Sequence, residues 1–250
     1  MSQAHKVLES LEKIKRSGRF GAEVMDLIAR KLTESQKFEL DFGEFPVMTE
    51  KEMQKQIKDL NLPYELSYFS VPTVGGVLAR DRIDDVLLQV FLSKGAEIGI
   101  LPPTLVMVLD KQNGEIVAVT EDQRMLDLWH EANDPEIMAV CGLIGLVIRG
   151  LAVLNCSNVT WSDNPAPAAL NKKREKAGKP PLFSFKTLQI KTGPQARTTS
   201  CASELGRLGP RLHLRRGHIR KLFGGTTTWV QSSMVGSARD GMAMKDYRVT

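Results

Sequence analysis

The sequence predicts an α+β protein with a helical N-terminal part, a mixed middle and a basic, β-rich C-terminal part. Apolar residues recur at helical spacing near the N-terminus, at Leu8, Leu11 and Ile14 and again at Val24, Leu27 and Ile28. Two-residue alternation and glycine punctuation mark the tail, where Arg211, His213 and Arg215 alternate with Leu212 and Leu214. No internal repeat is present, and the elements run from helical to strand-like rather than in a regular βαβ order.

The 250 residues suffice for one large domain or two ordinary ones without disulfides, and 42% apolar with 25% charged residues is a soluble globular composition. The net charge of +5 hides an asymmetry. Residues 165–225 hold fourteen Lys and Arg against two Glu, which leaves the remainder at −7. A split of that kind points to a polyanionic partner of one part only, or else to a solvated basic surface. On this basis residues 1–164 form a net acidic mixed body and residues 165–250 a basic part, the two joined as one continuous body. Cys141, Cys156 and Cys201 are odd in number and lack metal-ligand spacing, so they read as reduced thiols inside a cell. Met1 to Arg16 has helical spacing rather than the apolar core of a signal peptide. Ile137 to Leu154 is apolar, but Arg149 and three glycines make it a buried core helix rather than a membrane span.

In chain order, two amphipathic helices open the chain, and Phe38, Leu40 and Phe42 alternate as a short strand. Thr49 with Glu52 forms a capping box for a helix through Met53, Ile57 and Leu60, which stops before Pro63. Tyr64 to Val77, with Pro72 and Gly75-Gly76, reads as strand and turn. Ile83, Val86, Leu87, Val90 and Phe91 lie at helical spacing and predict a helix closed by Lys94 and Gly95. Asn113-Gly114, between two alternating runs, predicts a β-hairpin with positive backbone angles at both residues. Thr120 and Gln123 predict a capped helix carrying Met125, Leu128 and Trp129 and ending at His130, a surface residue at the helix dipole. Asp134 and Pro135 then start the apolar helix to about Leu154. Asn155 to Pro167 is a compositional break. Lys172, Lys173, Arg174 and Lys179 lie on a short basic helix or arm stopped by Gly178 and Pro180-Pro181. A strand with Phe183 and Phe185 runs to about Lys191, and 192–209 reads as a mobile loop. Arg211 to Phe223 and Thr227 to Val235 are two strands of a hairpin about Gly224-Gly225.

The tail concentrates His213, His218, Arg211, Arg215, Arg216, Arg220 and Lys221 in one short stretch. A bulge at Gly217 would reset the alternation and bring His218 and Arg220 to the face of His213. The series Asn155-Cys156, Asn171-Lys172-Lys173-Arg174, Gly178-Lys179-Pro180-Pro181-Leu182, His213-Leu214-Arg215-Arg216-Gly217-His218, Trp229-Val230 and Lys245-Asp246-Tyr247-Arg248-Val249 resembles a group of uncharacterised phage and prophage proteins. The resemblance covers about the last hundred residues and implies a product acting in the cytoplasm of a bacterial host. It supplies no catalytic residues.

Three functions fit these motifs. The first is nucleic-acid binding, with Lys172, Lys173, Arg174, Lys179, Arg211, Arg216, Arg220 and Lys221 on phosphates and Trp229 stacking on a base or else packing in the core. The second is a metal-independent RNase in which His213 and His218 act as base and acid on a ribose 2′-hydroxyl and Arg215 holds the developing charge. In the third, the basic surface binds a host protein complex. A metal site of His213, His218 and Cys201 or Asp246 is disfavoured by Arg215 and Arg216, and no metal or cofactor is expected. Glycine-rich phosphate loops, nucleophile elbows and HExxH motifs are absent from the sequence. Oligomeric state has no sequence signal.

Overall fold

The computed structural model describes residues 3–18, 20–40, 48–94, 97–100, 106–120, 135–190, 211–215, 218–230, 233–235 and 237–242. These form an α+β protein built on a nine-stranded mixed sheet with helices on both faces. Helices α1 (Gln3–Ser17) and α2 (Ala22–Glu34) precede β1 (Gln36–Glu39), and α3 (Glu50–Lys58) leads to β2 (Leu66–Val71), β3 (Gly75–Asp81), β4 (Asp85–Lys94) and β5 (Glu97–Ile100). Strands β6 (Val106–Asp110) and β7 (Glu115–Val119), helix α4 (Pro135–Leu154), β8 (Val159–Asn164), helix α5 (Ala168–Lys176) and β9 (Phe185–Ile190) follow. The sheet order is β7-β6-β4-β3-β2-β1-β9-β8, with β5 also on β4. Strand β1 runs parallel to both of its neighbours, so β9, from the basic part of the chain, is built directly onto the N-terminal strand.

The two faces bury separate cores. On one, Phe38, Phe69, Val77, Leu88 and Leu109 pack beneath α3 and α4. On the other, Tyr68, Leu78 and Phe91 pack beneath Val7, Leu11, Met25 and Leu32 of α1 and α2. The Thr49–Glu52 capping box forms as expected: the Glu52 N–H donates to Thr49 Oγ1 at 3.3 Å, and the Thr49 N–H donates to the Glu52 carboxylate at 2.8 Å. Helix α4 begins at Pro135, whose missing N–H costs nothing in a first turn. It is long and apolar enough to cross a membrane, and more than half of it is buried inside the protein.

Several expectations are corrected. The stretch read as a helix around Val86 and Val90 is β4. Val86, Leu88, Val90 and Leu92 face one core and Phe91 the other, while Ile83, 94% exposed, lies in the preceding turn. A strand covered on both faces is apolar at successive positions, and such a run contains helical spacings by coincidence. The loop between β6 and β7 has four residues, and only Gly114 takes a positive φ, at 78°. Asp110 shapes that turn by accepting from the N–H groups of Gln112 and Asn113 at 2.8 and 3.2 Å, and with the Asn113 side-chain amide these bonds hold its carboxyl below the usual range. The β2–β3 turn is made by Pro72 and Thr73, with Thr73 at φ 65°, a costly conformation for a β-branched residue. Gly75 and Gly76 belong to β3 itself. Strand β8 occupies the segment read as a compositional break. The helix expected at 120–130, the Asp134 cap, Cys201, Phe42 and the 192–209 loop lie outside the described residues.

Lys37 is buried on β1. Its ammonium group donates to the carbonyls of Thr33 and Ser35 at 2.7 and 2.6 Å, capping the C-terminus of α2, and lies 4.2 Å from the centre of the Phe183 ring.

A Cβ at Gly76 would run into the Tyr68 hydroxyl, whereas one at Gly142 meets nothing within 4 Å. Gly76→Ala should therefore destabilise by about 1–3 kcal/mol through overpacking. Gly142→Ala should stabilise by about 0.5–1 kcal/mol through helix propensity. Urea denaturation midpoints compare the two. Burial also lowers the Lys37 pKa from 10.5 to about 8. The unfolded chain then binds the proton more tightly, so this residue's contribution makes stability rise as pH passes from about 8 towards 10.5. Denaturation at pH 7.5 and 9.5 should show that rise in the wild type and a smaller one in Lys37→Met.

Candidate nucleic-acid interface

Helix α5 buries none of its residues, yet it is firmly attached. The Asn171 amide donates to the Leu182 carbonyl at 2.9 Å and accepts from the Leu182 N–H at 2.8 Å. Arg174 donates through Nε to the Pro180 carbonyl at 2.9 Å. Its outer nitrogen contacts His5 Nε2 and lies 3.6 Å from Glu9. His5 is fully buried and also meets the Glu9 carboxylate at 3.0 Å. Gly178, at φ 61°, turns the chain after the helix. Arg174, grouped with its neighbours as a phosphate contact, thus ties α5 to α1, while Lys172, Lys173 and Lys179 are exposed.

The hairpin expected about Gly224-Gly225 is present, with both glycines at positive φ. Strand β11 (His218–Lys221) pairs with β12 (Thr227–Val230), and β10 (Arg211–Arg215) pairs with β13 (Ser233–Val235). Strand β14 (Ser237–Met242) runs parallel to β10, a pairing the sequence does not suggest. His213 lies opposite Val235 and His218 opposite Val230. The two ladders belong to separate small sheets, and Gly217, where the bulge is expected, lies outside the described residues. The side chains of Arg211, His213 and Arg215, and all of Arg216, lie outside the described residues.

Trp229 is a core residue. Only 5% exposed, it lies opposite Ile219 and packs against Val153 and Cys156 at the end of α4. Asn158 brackets its backbone, accepting from the Trp229 N–H at 2.8 Å and donating to its carbonyl at 2.9 Å. Arg220 and Lys221, farther along β11, are exposed, and His218 is half-buried.

Between α3, the end of α4 and this hairpin lies a cleft of about 640 Å³. His218 and Lys221 line it together with Lys55, Asp59 and Asn155. The Lys55 ammonium group beside Lys221 holds the latter below the ordinary lysine range. Sequence reasoning missed Lys55 because it sits on an ordinary amphipathic helix, and only folding places it opposite the hairpin.

The candidate cations among the described residues fall into two sets. Helix α5 is tied to α1 on one side of the sheet, and the β11–β12 hairpin to α4 on the other. The architecture defines an α+β protein with helices on both faces of a mixed sheet. No protein-family model, curated protein or solved structure matches the chain, so the fold and these two sites carry the functional argument.

Trp229→Ala should cost about 3–5 kcal/mol of stability, as loss of a large core side chain does. Chemical denaturation measures that cost. The affinity of the folded fraction for single-stranded nucleic acid should stay unchanged, whereas a base-stacking role would reverse the pattern.

Proposed function

We propose that the protein binds nucleic acid electrostatically, with Lys172, Lys173 and Lys179 on α5 and its C-terminal turn contacting backbone phosphates. The supporting observation is a helix that buries nothing but is held rigid by Asn171 and Arg174. Ordering such a segment costs conformational entropy without hydrophobic return, so its exposed face is the feature to explain. Lys15, Lys111 and Lys186 each sit 2.6 Å from an aspartate oxygen. Among the described ion pairs none takes Lys172, Lys173 or Lys179. Lysines are flexible point charges, suited to phosphates rather than to base edges, so the contact is independent of sequence. The resemblance of the tail to phage proteins fits a product working on nucleic acid in the host cytoplasm. The His213–His218 acid–base pair is not carried forward, because the two residues stand on separate small sheets and the His213 side chain lies outside the described residues.

Fluorescence anisotropy on unrelated duplexes over a salt series tests the proposal. Affinity should fall steeply with salt, and Lys172→Gln/Lys173→Gln/Lys179→Gln should weaken all sequences alike while reducing the log–log slope by about 0.9 for each phosphate no longer neutralised. An unchanged slope removes α5 from the interface. Salt-insensitive capture of a host polypeptide would replace nucleic acid with a protein partner.

A further inference from the structure

The cleft between α3, α4 and the hairpin is built from parts of the chain far apart in sequence, and its chemistry differs from that of the α5 lysines. Two lysines on different elements, Lys55 of α3 and Lys221 of β11, meet at its wall. Both are exposed. Like charges brought this close repel unless an anion lies between them. Gln56, Asn61 and Asn155 add amide donors and acceptors, while Ala152, Ile219 and Met48 supply apolar surface. Asp59 and Glu52 also face the cleft. The Glu52 carboxylate is engaged in the α3 capping box, which leaves Asp59 as an acceptor beside the lysine pair. That acceptor disfavours a bare polyanion and favours a ligand bearing hydroxyl or amino donors near one phosphate. A volume of about 640 Å³ lies within the usual range of small-molecule sites, about 300–1,000 Å³.

We infer that this cleft binds a nucleoside monophosphate, with the phosphate between Lys55 and Lys221 and the nucleoside over Ile219 and Ala152 within reach of Asp59 and the amides. The inference rests on the cleft alone and stands apart from nucleic-acid binding by α5. A phosphate seated between the lysines relieves their mutual repulsion and restores the proton that Lys221 gives up more readily beside Lys55. Of the other titratable groups facing Lys221, Asp59 favours its charged form, His218 completes the wall and Glu52 is held by Thr49.

Isothermal titration of the full chain with AMP, GMP, CMP and UMP, the parent nucleosides, ribose 5-phosphate and inorganic phosphate tests the inference. At least one monophosphate should bind at least about tenfold more tightly than its nucleoside, than ribose 5-phosphate and than phosphate. Lys55→Gln and Lys221→Gln should each weaken it by about tenfold or more, as loss of a charged hydrogen bond does. Lys13→Gln, on the exposed side of α1, should not. In wild-type protein at mildly alkaline pH, titrations in two buffers of different ionisation enthalpy should show net proton uptake on binding. Absence of binding at millimolar monophosphate, equal affinity for nucleoside and monophosphate, or unaltered affinity in both lysine variants overturns the site. Equal affinity for ribose 5-phosphate overturns the nucleoside assignment.

Discussion

The close approach of Tyr68 to Gly76 sets the spacing on which the α1/α2 layer depends. Residue 76 carries no side chain, so the ring of Tyr68 can cross onto the neighbouring strand and pack with Phe91, ring centres 6.2 Å apart. The cost is a buried hydroxyl with no hydrogen-bond partner, whose ionisation burial pushes well above the ordinary range. What this secures is an apolar surface of Tyr68, Leu78 and Phe91 beneath α1 and α2. The consequences run outward from there. Helix α1 places His5 and Glu9, these receive Arg174, and Arg174 fixes α5 with its lysines facing out. A packing choice at the centre of the sheet thereby decides where the basic helix sits.

Elements whose determinants are local were legible in the sequence. The α3 capping box, the proline start of α4, the glycine turn after α5 and the Gly224-Gly225 hairpin each depend on a few adjacent residues, and each formed. Strand β4 was not legible, because its apolar pattern is set by what covers it on both faces and not by its own period. Strand β8 was obscured for the opposite reason. As an edge strand with one neighbour, it carries only a half-buried, polar-rich alternation, Val159 to Asn164, that composition cannot separate from a loop.

The site divides along the same line. That this stretch holds a short basic helix or arm stopped at Gly178 followed from sequence, but the exception at Arg174 did not. Its partners on α1 are 165 and 169 positions away, and a guanidinium that serves as a half-buried tether has the same sequence signature as one that meets phosphate. Trp229 was ambiguous between stacking and core packing for want of a known neighbour, and Val153 and Cys156 supply that neighbour. His213 and His218 look paired when proximity in sequence is combined with a bulge. The two residues stand on separate small sheets, β10 with β13 and β11 with β12, and adjacency in sequence alone does not put them on one face.

The charge distribution constrains the partners in turn. A surface that tracks one nucleic-acid backbone needs its cations along a continuous path, because exposed charges more than about 10 Å apart act nearly independently at moderate salt. Among the described residues, the exposed candidate cations lie on two elements anchored to different helical layers, α5 through Arg174 to α1 and the hairpin through Trp229 to α4. The sheet, with both of its cores, lies between them. The two sets also differ in kind, one an open row of lysines and the other a walled cleft with an acceptor, amides and apolar surface. Open rows of charge suit extended polyanions, and walled clefts suit small ligands with one anionic group and several hydrogen-bonding ones. Among the described residues the fold therefore separates two kinds of cationic surface, which the net charge of the C-terminal part, read as a sum, does not distinguish.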